Sequence, residues 1–447
     1  MLTRDRVESM MKRALAASKA EETQLVLGGG RLAFVRMQEG AVRENRSEAW
    51  FELRVCAYVK GAVGVARTMK LDDAGIASAL QEAHERARLA PVRRDAPKLP
   101  EPIPVVESTH YDPEVASLPP AARLGFVTPL LAETRRHGAF VEGFLAARAG
   151  SLGPQGAAGM MAMATSRGFF LFHRTTKIRL ATRIVADHGA GYAEAEHWLL
   201  RSFDPQPAID RALQRALARR VSGTVAPGLY DVILEPAALA SFLTSLAPHF
   251  SADAVDAQRS FLRGRLGRAI ARSNITLHDD FAHPLHAALP FDGECVPRRS
   301  VPLIDRGTVR AFTYSREAAA REDTVPTGHA PLWPPGGDAV ATHLVMQGQE
   351  QSLDDLIAKT ERGILISGTH GHRVLDATRA VCAGTTRNGT FWIENGKVKH
   401  SLPELRYEMS AFDVLGYATL LSRPEKALGV VAPAMKTSKF KILGDAK

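Results

Sequence analysis

Residues 226–249 read Ala226-Pro-Gly-Leu-Tyr-Asp-Val-Ile-Leu-Glu-Pro-Ala-Ala-Leu-Ala-Ser-Phe-Leu-Thr-Ser-Leu-Ala-Pro-His249. Ala226-Pro227-Gly228 marks a fresh start, Leu229–Leu234 is a strand-length apolar run, and a helix is expected over Ala237–Leu246. The main boundary therefore falls near 221–228. It divides an N-terminal α+β domain with an antiparallel sheet, 1–222, from a strand-rich C-terminal domain, 223–447. The order is helix, strands, helix, then a meander, then strands and turns. That is α+β and not an alternating βαβαβ chain.

Upstream, Asp5 and Glu8 have capping-box spacing, ahead of the stripe Val7, Met10, Met11, Ala14 and Leu15. Strands are expected at Thr23–Leu27, Arg31–Gln38 and Ala49–Lys60, with Gly28-Gly29-Gly30 as a tight turn. Asp72 caps a helix with Ile76, Leu80, Ala83 and Ala87 inward, stopped by Pro91. Residues 91–121 carry eight of the 26 prolines, Pro97 among them, and read as a stiff connector. A helix from Pro120 to His137 should kink or split at Pro129. Strands follow at Ala139–Ala149, Ala158–Thr165, Gly168–His173 and Lys177–Ala186, then a helix capped by Asp204 and ending near Arg220. Beyond Asn274 two helices are expected, Leu353–Thr360 and Phe412–Leu421.

The 447 residues suffice for roughly two to four domains. A 45% hydrophobic, 23% charged composition excludes disordered and fibrous chains. Lys and Arg exceed Asp and Glu by 9, which permits an acidic partner without requiring one. Cys56, Cys295 and Cys382 lack CxxC spacing, which excludes a disulfide scaffold and an all-cysteine zinc site. No signal peptide or membrane-spanning run is read, so the expected location is the cytoplasm.

The only His-Glu pair, His84-Glu85, has no second histidine four or five residues on, so it makes no metalloprotease helix. Two other groups could bind metal: His370-Gly371-His372, and the loop His278, Asp279, Asp280, His283, His286. Turn chemistry explains both as well. The run Arg259, Arg263, Arg265, Arg268, Arg272 has only Phe261 as a stacking platform, which argues against nucleic acid. It reads as one face of a helix or of an irregular segment.

A series of short signatures is similar to the TldD/PmbA family of metalloproteases, some once described as modulators of DNA gyrase. They are Gly228-Leu-Tyr-Asp-Val-Ile-Leu-Glu-Pro236, Ser260-Phe-Leu-Arg-Gly-Arg-Leu-Gly267 and Pro290-Phe-Asp-Gly-Glu-Cys-Val-Pro297. Leu303-Ile-Asp-Arg-Gly307, Thr327-Gly-His-Ala330, Gly363-Ile-Leu-Ile366 and Phe391-Trp-Ile-Glu-Asn-Gly396 follow in order. Val42-Arg-Glu-Asn45 and the helices over Asp72–Ala90 and Asp204–Arg220 extend the resemblance to the N-terminal half. The family's catalytic members carry His-Glu-x-x-x-His on the helix after the first C-terminal strand. At the matching positions this chain has Thr244, Ser245 and His249. The cysteine that those members carry near the C-terminus is absent from Gly429-Val-Val-Ala-Pro-Ala434, and Pro248 should disturb the helix. The family's usual glycine after Asp-x-Glu is Cys295 here.

The resemblance therefore implies the zinc-less, TldE/PmbA-like subunit. It implies no catalytic or metal residue in this chain and no cofactor of its own. Zinc is expected in a TldD-like protease partner, and a peptide is the expected substrate. Substrate or partner contacts are sought at His249, Thr327, Gly328, His329, Trp333, His370 and His372, with Leu332-Trp333-Pro334-Pro335 as a contact loop. Pairing with a second copy of this chain stays open. So does a stand-alone hydrolase built on His249, His370, His372 and the 278–286 loop. A regulator of gyrase or nucleic acid rests on charge alone.

Overall fold

The structure, a computed structural model, describes residues 2–92, 98–104, 110–149, 160–187, 189–218, 225–333 and 336–446. Pro97, Ala158, Pro334, Pro335 and residues 221–224 of the boundary expected near 221–228 lie outside these residues.

The N-terminal half is an eight-stranded antiparallel sheet. Its strands are β1 (Glu22–Gln38), β2 (Ala41–Val59), β3 (Ala62–Thr68), β4 (Phe140–Ala149), β5 (Met160–Thr165), β6 (Phe170–Arg174), β7 (Lys177–Ala186) and β8 (Gly189–His197). The order is β3-β2-β1-β4-β7-β8, with β5 on β1 and β6 on β5. The three glycines make no turn; they lie within β1, where its partner changes from β5, opposite Gln24–Gly29, to β4, opposite Arg31–Met37. Gly29 has φ +149°, and a Cβ there would sit 2.2 Å from the Trp50 carbonyl oxygen. Glycine thus lets one long strand bend and change partners.

Helix α1 (Arg4–Ala17) and α2 (Asp73–Leu89) bury Met11, Ile76 and Ala83 against Leu25, Leu53 and Val55. The short α3 (Pro113–Ser117) precedes α4 (Pro120–Arg136), and α4 and α5 (Gln206–Ala216) cover Leu145, Leu180 and Ile184 with Val127, Leu130 and Ile209. Three expectations are corrected here. Thr3 caps α1, its hydroxyl accepting from Arg6 N at 3.4 Å, and Asp5 lies inside the first turn. Pro129 neither splits nor ends α4. Gly125, whose carbonyl Pro129 cannot bond, is on the exposed side, where water can take it. Pro205, not Asp204, is the N-cap residue of α5; Asp204 accepts from Gln206 N at 3.0 Å.

The C-terminal half carries β9 (Gly228–Leu234), α6 (Pro236–Leu246), β10 (Leu277–Asp279), β11 (Val301–Asp305), β12 (Thr308–Val309), β13 (Leu344–Met346) and β14 (Arg362–Asp376). Then come β15 (Val381–Glu394), β16 (Lys397–Ser401), β17 (Leu405–Ser410), β18 (Ala418–Leu421), β19 (Glu425–Ala427), β20 (Val430–Ala432) and β21 (Met435–Asp445). One sheet runs β14-β9-β21-β17-β15-β16, with β18 on β21; β14 also pairs with β15, so the path closes on itself. The other runs β12-β11-β10-β13-β20-β19. Among the described strands of these two sheets only β9–β14 and β13–β20 pair in parallel. The helix expected over Phe412–Leu421 is confined to Ala411–Gly416, because Ala418 and Leu421 pair with Thr437 and Met435 in β18. Residues 259–275 form turns, not a helix.

The halves meet along a mixed seam. Val26, Met161, Met163 and Leu171 pack on Leu289, Phe291 and Cys295, and Gln24 Nε2 donates to the Gly293 carbonyl at 2.8 Å. No helix among the described residues is long and apolar enough to cross a membrane.

Candidate functional site

A second part of the seam encloses a cavity of about 290 Å³. Strands β7 and β8 contribute Lys177, Arg179 and Glu196; the C-terminal end of α6 and the turn after it contribute Thr244, Ala247 and Pro248. His286, Thr342, His343, Lys426 and Gly429 complete the polar and backbone lining. Both places at which the resemblance puts metal ligands, the α6 stretch and the segment from Gly429, therefore open onto one cavity.

Its wall is a buried charge network. Glu196 Oε1 lies 3.0 Å from Lys177 Nζ and 3.2 Å from Lys426 Nζ. Burial favours the neutral acid, but the two ammonium groups outweigh it and hold the Glu196 carboxyl at about 2. Burial pulls Lys426 down from its ordinary value, with Glu196 opposing. Lys426 Nζ also donates to the Leu285 carbonyl. Arg179 is held by Glu194 at 2.8 Å, and Leu428 N donates to the same carboxylate at 3.2 Å. Three cations thus face two carboxylates.

Behind this wall lies an inner layer. Asp279 accepts from Thr342 N at 2.5 Å and His343 N at 2.8 Å, and His329 Nε2 lies 3.1 Å from its other oxygen. Burial works against the Asp279 charge, but the His329 hydrogen bond, with Arg298 nearby, holds its carboxyl well below the carboxylate range. Burial, then Lys426, push His286 down to about 3, so its ring is neutral at pH 7.

The residues that stand where the family has zinc ligands do not fit a zinc site. The Thr244 hydroxyl donates to the Ala240 carbonyl at 2.8 Å and the Ser245 hydroxyl to the Phe242 carbonyl at 2.7 Å. Neither offers the imidazole, thiolate or carboxylate that zinc takes. Helix α6 stops at Leu246, and Ala247–Phe250 continues as a 3₁₀ turn with Pro248 at its start. His249 packs on Phe261 with ring centres 4.4 Å apart and planes tilted by 34°, and burial lowers its pKa. Among the described residues no three His, Cys, Asp or Glu side chains are grouped to hold a metal.

The other residues singled out from sequence are dispersed. Thr327 ties the turn to Tyr314, accepting from its N–H at 2.8 Å, and contacts His329 Nδ1 at 3.0 Å. A Cβ on Gly328 would meet the Pro297 carbonyl at 2.4 Å. Half-buried Trp333 packs under the Arg54 guanidinium of β2, 5.5 Å from the ring centre, so its loop bridges the two halves. His370 and His372 do not converge. A register irregularity separates them; exposed His370 contacts Arg387 at 3.2 Å, while His372 turns inward to Ser245 and Tyr407. In the 278–286 loop Asp280 accepts from Ser300 and His283 accepts from Leu285 N.

Lys177, Glu196, His343 and Lys426 were not singled out. Their signal is the alternation of charge on β7 and β8, Lys177 and Arg179 against Glu194 and Glu196, on strands too buried to leave charges unpaired.

Residues 227–444 match the PmbA/TldA metallopeptidase C-terminal domain. A metalloprotease of Methanothermobacter thermautotrophicus is 20% identical over 409 residues, covering 89% of this chain and 87% of that protein. An uncharacterized Methanocaldococcus jannaschii protein is 28% identical over 200 residues, 44% of this chain. The chain spans about half the length, 46%, of that relative and of a metalloprotease from the same organism. Among solved structures, TldE from Thermococcus kodakarensis superposes with TM-score 0.86 at 21% identity, covering 98% of this chain and 99% of that one. A Thermotoga maritima protein, proposed to modulate a DNA gyrase, gives 0.85 at 18%, covering 98% and 100%. The α+β architecture is that of the metallopeptidase-like proteins of this type. The chain belongs to the TldD/PmbA family.

Proposed function

We propose that this chain is the non-catalytic, TldE/PmbA-like subunit of a TldD/PmbA-type metalloprotease assembly that degrades or processes peptides. Its partner in this reading is a zinc-bearing TldD-like chain. The observation that carries the proposal is at Thr244 and Ser245. Both hydroxyls are spent on carbonyls of their own helix, at the two positions where the resemblance puts a metal ligand and the general base. The cavity that Thr244 lines, between the halves, carries lysines and a paired carboxylate.

A stand-alone hydrolase would have to be rebuilt from His249, His370, His372 and the 278–286 loop, and these residues are dispersed, with His370 on exposed Arg387 and His372 turned inward to Ser245 and Tyr407.

The test is reconstitution with a His-Glu-x-x-x-His-bearing relative from the same source. The two chains should co-purify, and unfolded peptide should be cut by the pair and not by this chain alone. About one tightly held metal in the isolated chain, with cleavage, would overturn the proposal.

A further inference from the structure

The cavity wall has chemistry left over. Lys177, Arg179 and Lys426 bring three positive charges against Glu194 and Glu196, and Arg148 acts on Arg179 and Glu196 as a fourth, which leaves cationic charge uncompensated in a largely buried place. The ammonium groups are not saturated with acceptors either: Lys426 contacts Glu196 and the Leu285 carbonyl, and Lys177 contacts Glu196. Each ammonium has three donors. A buried wall of this kind is completed by a negative charge that accepts hydrogen bonds.

His286 supplies the second observation. It is 2% exposed and lines the same cavity, yet its Nε2 has no hydrogen-bond partner. The Leu344 backbone acts on the ring as an acceptor, so we assign the proton to Nδ1 and the lone pair to the unpartnered Nε2. It calls for a donor. An orphaned buried acceptor is costly unless something meets it.

An anionic acceptor beside an N–H donor is what the last residue of a peptide presents. We propose that this cavity binds the C-terminal end of a peptide, with Lys426 and Lys177 taking the carboxylate and His286 Nε2 accepting the terminal amide N–H. That the ligand is a peptide rests on the function proposed above; the carboxylate chemistry follows from the wall itself. In this view the subunit anchors the end of a chain and so sets which bond reaches the partner's metal.

The experiment is calorimetric titration of the isolated full-length chain with acetyl-trialanine as the free acid, as its C-terminal amide, and with sodium acetate. The free acid should bind, and the amide should bind about tenfold or more weakly. Acetate should be weaker than the free acid, since it lacks the N–H. Lys426→Met should abolish the preference for acid over amide; if that variant does not fold, Lys177→Met makes the same comparison at the cavity's rim. Equal binding of acid and amide, no binding of either, or acetate matching the peptide overturns the proposal. So does an acid preference that survives in the folded lysine variant. Because the readout is binding to this chain alone, it stands or falls separately from pairing and cleavage.

Discussion

His372 Nε2 lies 2.9 Å from Ser245 Oγ, while its Nδ1 lies 2.8 Å from the Tyr407 hydroxyl. One imidazole thus joins α6, β14 and β17, at the residue where the resemblance puts a general base. Burial lowers His372 to about 4. An unfolded histidine has a pKa near 6.5, so between about 4 and 6.5 the unfolded chain binds more protons and stability rises with pH. This contribution is present above pH 6.5 and is lost as pH falls towards 4. His372→Asn should flatten that part of the stability curve relative to the parent, measured as melting temperature from pH 4 to 7. An unchanged difference between the two proteins across that range would contradict the assignment.

Removing the ring altogether has a second effect. His372→Ala removes the ring's hydrogen bond to the buried Tyr407 hydroxyl and should cost about 1–3 kcal/mol at pH 7, read by urea denaturation. Pairing with the zinc-bearing relative should persist, since the contact is internal.

Glu294 has the opposite sign. Burial, against one hydrogen bond from Arg316 N, raises it to about 7, while an unfolded glutamate titrates near 4.5. Between those values the folded chain holds the extra proton, so the contribution favours folding at low pH and fades as pH rises through 7. Glu294→Gln keeps the acceptor and removes the titration. It should melt higher than the parent at pH 8 and no higher at pH 5.

Trp333 sits in the loop expected to contact a partner, yet its ring meets Arg54 of the same chain. Trp333→Ala should therefore destabilise the chain by about 1–2 kcal/mol, through lost burial and the cation–π contact. A melting temperature equal to the parent's, with pairing lost, would return Trp333 to the outer surface.

The strands with apolar alternation were legible, as were α2 with its Asp72 cap and α6. The misses have particular causes. Gly28-Gly29-Gly30 reads as a turn because a local reading cannot know that two partner strands meet along β1. Strand β8 is not read from the sequence because it is built mainly of Gly, Ala and Glu and lacks β-branched residues. Those small residues are demanded by α5, for a Cβ on Gly191 would meet the Ala212 carbonyl at 1.9 Å. Cys295, set where the family has glycine, holds a φ of +61°, which glycine adopts without strain. It is packed against Met163 across the seam, a contact 132 residues apart in sequence. The candidate cavity was half legible. Thr244 and the 429–434 segment came from the resemblance, but Lys177, Glu196 and Lys426 converge only when the halves close.

The most direct test of the account is peptide cleavage by three samples at equal concentration: this chain, its His-Glu-x-x-x-His-bearing relative, and the two combined, with zinc measured in each. The account predicts zinc in the relative and in the pair, none in stoichiometric amount in this chain, and full cleavage only by the pair. Cleavage by this chain alone, with about one metal bound, would contradict it.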